Sequence, residues 1–240
     1  GTNGFHLQFE DSSSIGNDSS GNDNDWTPTN LSAYDVMAGG SFDVGSGGNT
    51  FATLNGLRSN AGDTVTLSEG NLKATHPSSA NILCNILVNS GKWYAEWIRE
   101  SDTHSMVGIS IEGLDPDVWL GSLSGQIGYY HTGTIYYNDD SSVSVDSYDI
   151  DEVIGIALDL DSSPPTVKFY NENVLVHTRN LESMFSDTHL SFACGHSNTV
   201  GIMNFGQDSS FAGNLTAQNN ADSGGVGDFY YTPPTGYKAL

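Results

Sequence analysis

Between Gly91 and Glu100 the chain reads GKWYAEWIRE, and apolar and polar positions alternate along it. Trp93, Ala95 and Trp97 fall on one side of an extended segment, and Lys92, Tyr94 and Glu96 on the other. The Asn89-Ser90-Gly91 run ahead of it is a turn signal. Two tryptophans on one face need a thick apolar partner. In a chain rich in glycine, serine and asparagine, that partner is expected to be a second sheet.

The same period of two recurs downstream. FATLN (51–55) and TVTLSEGNLKAT (64–75) are short alternating runs, and ILCNILV (82–88) is apolar on both faces, as a buried strand would be. MVGISI (106–111) precedes a turn-rich loop, GLDPDVWLGS (113–122). IGYYHTGTIYYND (127–139) reads as a hairpin closed around His131 to Thr134. EVIGIALDLD (152–161) reads as a central strand, with Ile154, Ile156, Leu158 and Leu160 on one face. Small Gly155 and Ala157 on its other face allow close packing. TVKFYNENVLVHT (166–178) is a second hairpin, and Asn173 in its turn tolerates positive φ. LSFACG (190–195) and VGIMNFG (200–206) complete the set, while NLESMF (180–185) fits one helical turn. Strands spaced by about 8–12 residues, with almost no helical period, predict an all-β antiparallel sandwich of jelly-roll type.

The ends differ. Residues 1–50 carry one short alternating run, Phe5, Leu7 and Phe9, expected to pack on or link to the sandwich, with Phe229, Tyr230 and Tyr231 as pairing partners. Residues 213–240, with Pro233-Pro234, read as an extended Pro/Gly-rich linker. The sandwich proper is expected over 51–212. The termini, GTNGF and GYKAL, read as those of a segment cut from a longer polypeptide.

Charge changes the picture most. Seven Lys and Arg stand against 29 Asp and Glu, a formal net charge of −22. Such a surface repels phosphate backbones and anionic membranes, so nucleic acid is excluded as the expected partner. No apolar run is long enough to span a bilayer as a helix. The two cysteines, Cys84 and Cys194, sit in apolar strands and read as buried free thiols.

Candidate chemistry is sparse. Asp18, Asn22 and Asp25, within DSSSIGNDSSGNDNDW (11–26), have oxygens of the kind Ca²⁺ takes; an Asx-turn loop without an ion is the competing reading. Glu96 and Glu100 are expected as solvated surface carboxylates, with no pair placed for glycoside cleavage. Cys194 and His196 lie two apart on one strand, so a general base would have to come from elsewhere. The seven histidines show no zinc-ligand spacing. No catalytic set emerges, and recognition is the better class. The loops at 101–105, 115–124, 130–134 and 139–147 are the expected ligand-facing end. Tyr129, Tyr130, His131, Tyr136 and Tyr137 are the candidate binding residues, able to stack on a sugar ring or a peptide. Trp119 is expected in the core.

Taken in order, GKWYAEWI, VGIS, IGYY, DEVIGIALDLD, VKFYNEN and MNFGQDSSF resemble the SPRY domain over about residues 51–212. One departure is that Asn173 stands where the family places a turn glycine. The flanks, GTNGFHLQFEDSSSIGNDSSGNDNDWTPTNL, NTFATLN and GDFYYTPPTGYKAL, resemble a recurring unit of tail-fibre-like proteins of marine bacteriophages. The resemblance implies a SPRY-like sandwich of concanavalin type in a virion appendage, extracellular, without enzymatic activity. It implies a structural or adhesive role: binding a host-surface glycan or protein, or packing against other virion proteins or copies of itself, as in a trimer. A polysaccharide depolymerase and a cellular SPRY interaction module are the alternatives.

Overall fold

The computed structural model describes residues 1–9, 13–29, 31, 51–58, 65–101, 104–113, 115, 117–137, 141–181 and 189–240. The chain divides into two compact units, Gly1–Thr50 and Phe51–Leu240. In the first, Leu7 bridges Asp18, the Trp26 N–H donates to the Gly16 carbonyl, and the Phe5 and Trp26 rings meet 5.0 Å apart.

The second unit holds two antiparallel sheets. Its strands are β1 (Thr66–Ser68), β2 (Lys73–His76), β3 (Ala80–Leu83), β4 (Lys92–Arg99), β5 (Met106–Ile111), β6 (Gln126–Tyr130) and β7 (Thr134–Tyr137). They continue with β8 (Ser141–Ser144), β9 (Ile154–Asp159), β10 (Thr166–Asn171), β11 (Val174–Asn180), β12 (Leu190–His196) and β13 (Thr199–Asn204). One sheet runs β1-β2-β13-β4-β9-β10-β11, and the other β3-β12-β5-β6-β7-β8.

Alternation sorts the side chains as expected. Ala95 and Trp97 of β4 and Ile154, Ile156 and Leu158 of β9 point inward. They meet Val107, Ile109, Ile127, Tyr129, Phe192 and Cys194 of the opposite sheet in one core. The close packing expected at Gly155 is real: a β-carbon there would lie 2.5 Å from the Tyr94 hydroxyl of β4. The β10–β11 turn carries positive φ at both Glu172 (48°) and Asn173 (64°), the backbone shape of a primed hairpin turn. Both cysteines are free and buried.

Three expectations need correction. The strand expected over 82–88 begins at Ala80 and breaks after Leu83. There Asn85 turns to Thr53, giving its N–H to the Thr53 carbonyl and accepting the Thr53 N–H at its side chain. Glu96 is not a surface carboxylate but is fully buried. Residues 213–240 are not a free spacer. Phe229, Tyr237 and Leu240 are buried, and Phe229 and Tyr237 pack on Tyr94 and Ala157 over the outer face of the seven-stranded sheet. Lys238 bridges Trp93 in parallel, Phe229 bridges Asn220, and the Ala52 N–H donates to the Leu240 carbonyl. Apolar anchors at turn-separated positions cover the sheet, and proline only keeps the connecting chain extended. Part of the expected helical turn at 180–185 lies outside the described residues. Among the described residues, no helix is long and apolar enough to cross a membrane.

Candidate functional site

The outer face of the six-stranded sheet presents Met106 and Gly108 from β5, Gly128 and Tyr130 from β6, and Tyr136 from β7. Gly108 pairs with Gly128 across β5 and β6. A β-carbon at Gly128 would come within 2.5 Å of the Leu120 carbonyl, so its absence lets the 117–122 loop settle on the sheet. Leu120 then joins Leu83, Met106 and Ala193 in a small apolar cluster, with Trp119, Tyr130 and Tyr136 packed at its margin. The Asn81 side chain donates to the Val118 carbonyl at 2.8 Å, and Gln126 accepts the Gly121 N–H at 3.2 Å. These bonds hold Trp119 in place.

His104, Trp119, Tyr130, Tyr136 and His196 line an open cleft of about 360 Å³. Trp119 meets Tyr136 edge-on, with centroids 4.8 Å apart and planes at 75°. The His196 ring lies nearly parallel to Trp119 (6.3 Å, 15°), His104 (5.1 Å, 25°) and Tyr130 (5.4 Å, 29°). A hydrogen bond between His104 Nδ1 and the Tyr130 hydroxyl ties two of the rings together.

His196 is the last residue of β12, where the chain leaves one sheet for the other. Its φ is 112°, a region that a β-carbon disfavours. A strained residue in a cleft is a pointer to function. Burial, with help from His104 and His131, pulls its imidazole down from 6.5 to about 4, so the ring is neutral at neutral pH. Its Nδ1 is buried without a hydrogen-bond partner. Behind the cleft, His76 of β2 pairs with Thr199 of β13 and is almost wholly buried, with neither ring nitrogen partnered. Burial, then the charge of His196, pulls it down to about 4.

The structure divides the five candidate binding residues. Tyr130 and Tyr136 line the cleft. His131 stands beside it, edge-on to Tyr130 at 4.5 Å, and its N–H donates to the Ser105 carbonyl. Tyr129 is fully buried against Tyr148 and Phe169, with its hydroxyl on the Asp146 carbonyl, so it offers no face to a ligand. Tyr137 packs toward the main core beneath the Arg179 guanidinium, 3.7 Å from the ring centroid. Neighbours in a strand face opposite ways, so no hairpin can present all five together. Trp119, expected in the core, is half-buried and walls the cleft. Three cleft residues thus went unmarked as ligand contacts. His104 and Trp119 fall within loops expected to face a ligand, whereas His196 stands out in the sequence only as a strand neighbour of Cys194.

At the other candidate site, Asp18 is buried within the first unit. Partial desolvation opposes its ionisation. Hydrogen bonds from the His6 and Ser20 N–H groups, the Ser20 hydroxyl and the Asn24 N–H outweigh this and hold the carboxyl well below the usual range. Asp25 accepts the Asp18 N–H, and the Asn22 amide donates to the Gly4 carbonyl. Three carboxylate oxygens, both of Asp18 and one of Asp25, therefore serve the loop's own turns. Among the described residues, no group of three or more His, Cys, Asp or Glu is arranged to hold a metal ion.

No family model and no curated protein matches the chain. Solved structures do match its fold. The SPRY domain of human HERC1 is similar at 16% identity and a TM-score of 0.51, over 62% of this chain and 96% of that one. The TRIM65 PSpry domain is similar at 15% and 0.51, over 64% and 92%. Stonustoxin is similar at 20% and 0.52, over 64% of this chain and 26% of its own. The fold is a SPRY-like β-sandwich.

Proposed function

We propose that this chain is a non-enzymatic recognition module that engages a partner through the cleft of His104, Trp119, Tyr130, Tyr136 and His196. One observation carries the reading: five rings from five separate elements converge there, one of them on a backbone conformation that costs stability. Concave aromatic clefts with a few polar tips are where small groups of a partner lodge. Rings already braced by one another lose little freedom on binding. Burial pushes the Cys194 thiol far up, out of reach of a nucleophilic role.

The flanking sequences extend the proposal to a module of a virion appendage, extracellular. Its partner would be a host-surface protein or glycan, another virion protein, or further copies of the chain, as in a trimer. Only the resemblance of those flanks to tail-fibre-like proteins supports this extension.

The test is binding of the purified chain to arrays of peptides and glycans, repeated with Trp119→Ala and Tyr136→Ala. At least one class is expected to bind, and each variant to lose about tenfold or more in affinity. Equal binding by both variants would move the recognition surface elsewhere.

A further inference from the structure

We infer that the cleft accepts a cationic side chain, a lysine ammonium or an arginine guanidinium, from a basic segment of a partner protein. The inference rests on the cleft being the recognition site.

The first argument is the lining. Among the described residues, every one that lines the cleft carries a ring, and none is Lys or Arg. Trp119 and Tyr136 stand at 75° to one another and form a corner rather than a shelf. A sugar ring stacks on one flat face. A compact cation is drawn to several π faces at once, each acting within about 6 Å of its centroid.

The second argument is charge. The chain carries 29 acidic residues against 7 Lys and Arg. Asp115 and Asp117 lie in the loop that leads into Trp119. A field of this sign draws a basic segment in and repels an acidic one.

The third is that four of the chain's seven Lys and Arg are engaged elsewhere. Lys73 pairs with Glu100 and Lys92 with Asp159. Arg99, whose charge reaches Tyr130, is held by Asp149 and lies over the Tyr148 ring. Arg179 over Tyr137 shows the same chemistry formed within the fold. The cleft repeats that tyrosine surface with more rings.

The experiment is calorimetric titration of the full chain with short neutral peptides that differ at one position: Lys, Arg, norleucine or Glu. The Lys and Arg peptides are expected to bind about tenfold tighter than the norleucine peptide, with the advantage shrinking in high salt. Trp119→Leu and Tyr136→Leu are expected to erase that preference. The Trp119 indole resonance of the unmodified protein reads occupancy without relying on a variant, and it is expected to shift with the Lys peptide. Norleucine binding as tightly as lysine through the same resonance would overturn the cation and leave the cleft a recognition site. A preference for Glu would do the same. If no peptide shifts the Trp119 resonance, both the cation and the peptide-binding cleft fall.

Discussion

Glu96 accepts the backbone N–H of Tyr231 at 2.8 Å, joining the middle of β4 to a segment 135 residues downstream. The same carboxylate accepts the Tyr230 N–H, the Asn204 amide and the Tyr94 hydroxyl. It is therefore the polar clasp under the C-terminal cover. Burial outweighs these four donors and pushes its carboxyl from 4.5 up to about 7.

The sign follows from that direction. A carboxyl raised in the fold favours the folded state while protonated, so its contribution is full below about pH 4.5 and is lost as pH rises through about 7. The difference is about 3 kcal/mol at 1.36 kcal/mol per pH unit. Glu96→Gln does not titrate. Between about pH 5 and pH 8, urea unfolding is expected to show wild type losing about 2–3 kcal/mol relative to the variant. Parallel curves would show that Glu96 does not titrate in this window.

Phe229 tests whether the C-terminal segment belongs to the fold. It is fully buried, and its ring meets Tyr94 edge-on at 5.2 Å. Phe229→Ala is expected to cost about 3–5 kcal/mol in chemical unfolding and to open residues 213–240 to proteolysis before the strands are cut. A linker would tolerate the change within about 0.5 kcal/mol.

The strands were legible because successive side chains leave an extended chain on opposite faces, and the face turned to the main core carries the large apolar residues at a period of two. Trp93, Ala95 and Trp97 in β4 and the Gly155 and Ala157 face of β9 show this. Residues 213–240 were not legible as structure. Their anchors, Phe229, Tyr237 and Leu240, are separated by turns rather than by a period, so composition spoke for a linker. Glu96 occupied the face that looked solvated, because that cover was invisible. The cleft was half legible. Loop placement pointed to its end of the sandwich, but His104, Trp119 and His196 converge through the fold alone, with no spacing in common.

The backbone at His196 allows a comparison of opposite sign to the usual one. Alanine is normally the better residue in a strand, by roughly 0.5–1 kcal/mol over glycine. At a φ of 112° the β-carbon is the source of strain. His196→Gly and His196→Ala both remove the ring, so their difference isolates the β-carbon. The glycine variant is expected to be more stable by about 1 kcal/mol or more in thermal or urea unfolding, and both are expected to lose cleft binding. Alanine proving the more stable would mean that the position is relaxed.

His76 supplies the counterweight to Glu96. Its imidazole is buried beside Thr199 with neither nitrogen bonded, and its value falls from 6.5 to about 4. Here the unfolded chain takes the proton first. The stability of the neutral ring is full above about pH 6.5 and is lost as pH falls toward 4, by about 3 kcal/mol. This window overlaps that of Glu96 and runs the other way, so wild type hides part of each. In the Glu96→Gln background the histidine loss is expected to stand exposed, steeper on acidification than in wild type. Adding His76→Phe is expected to restore about 2–3 kcal/mol near pH 4.5 relative to neutral pH. The slope that remains includes His196 and His177, whose values are also lowered by burial. A His76 ring resonance that titrates near 6.5 in the folded protein would show that the ring is hydrated in its pocket, and the double variant would then gain nothing on acidification.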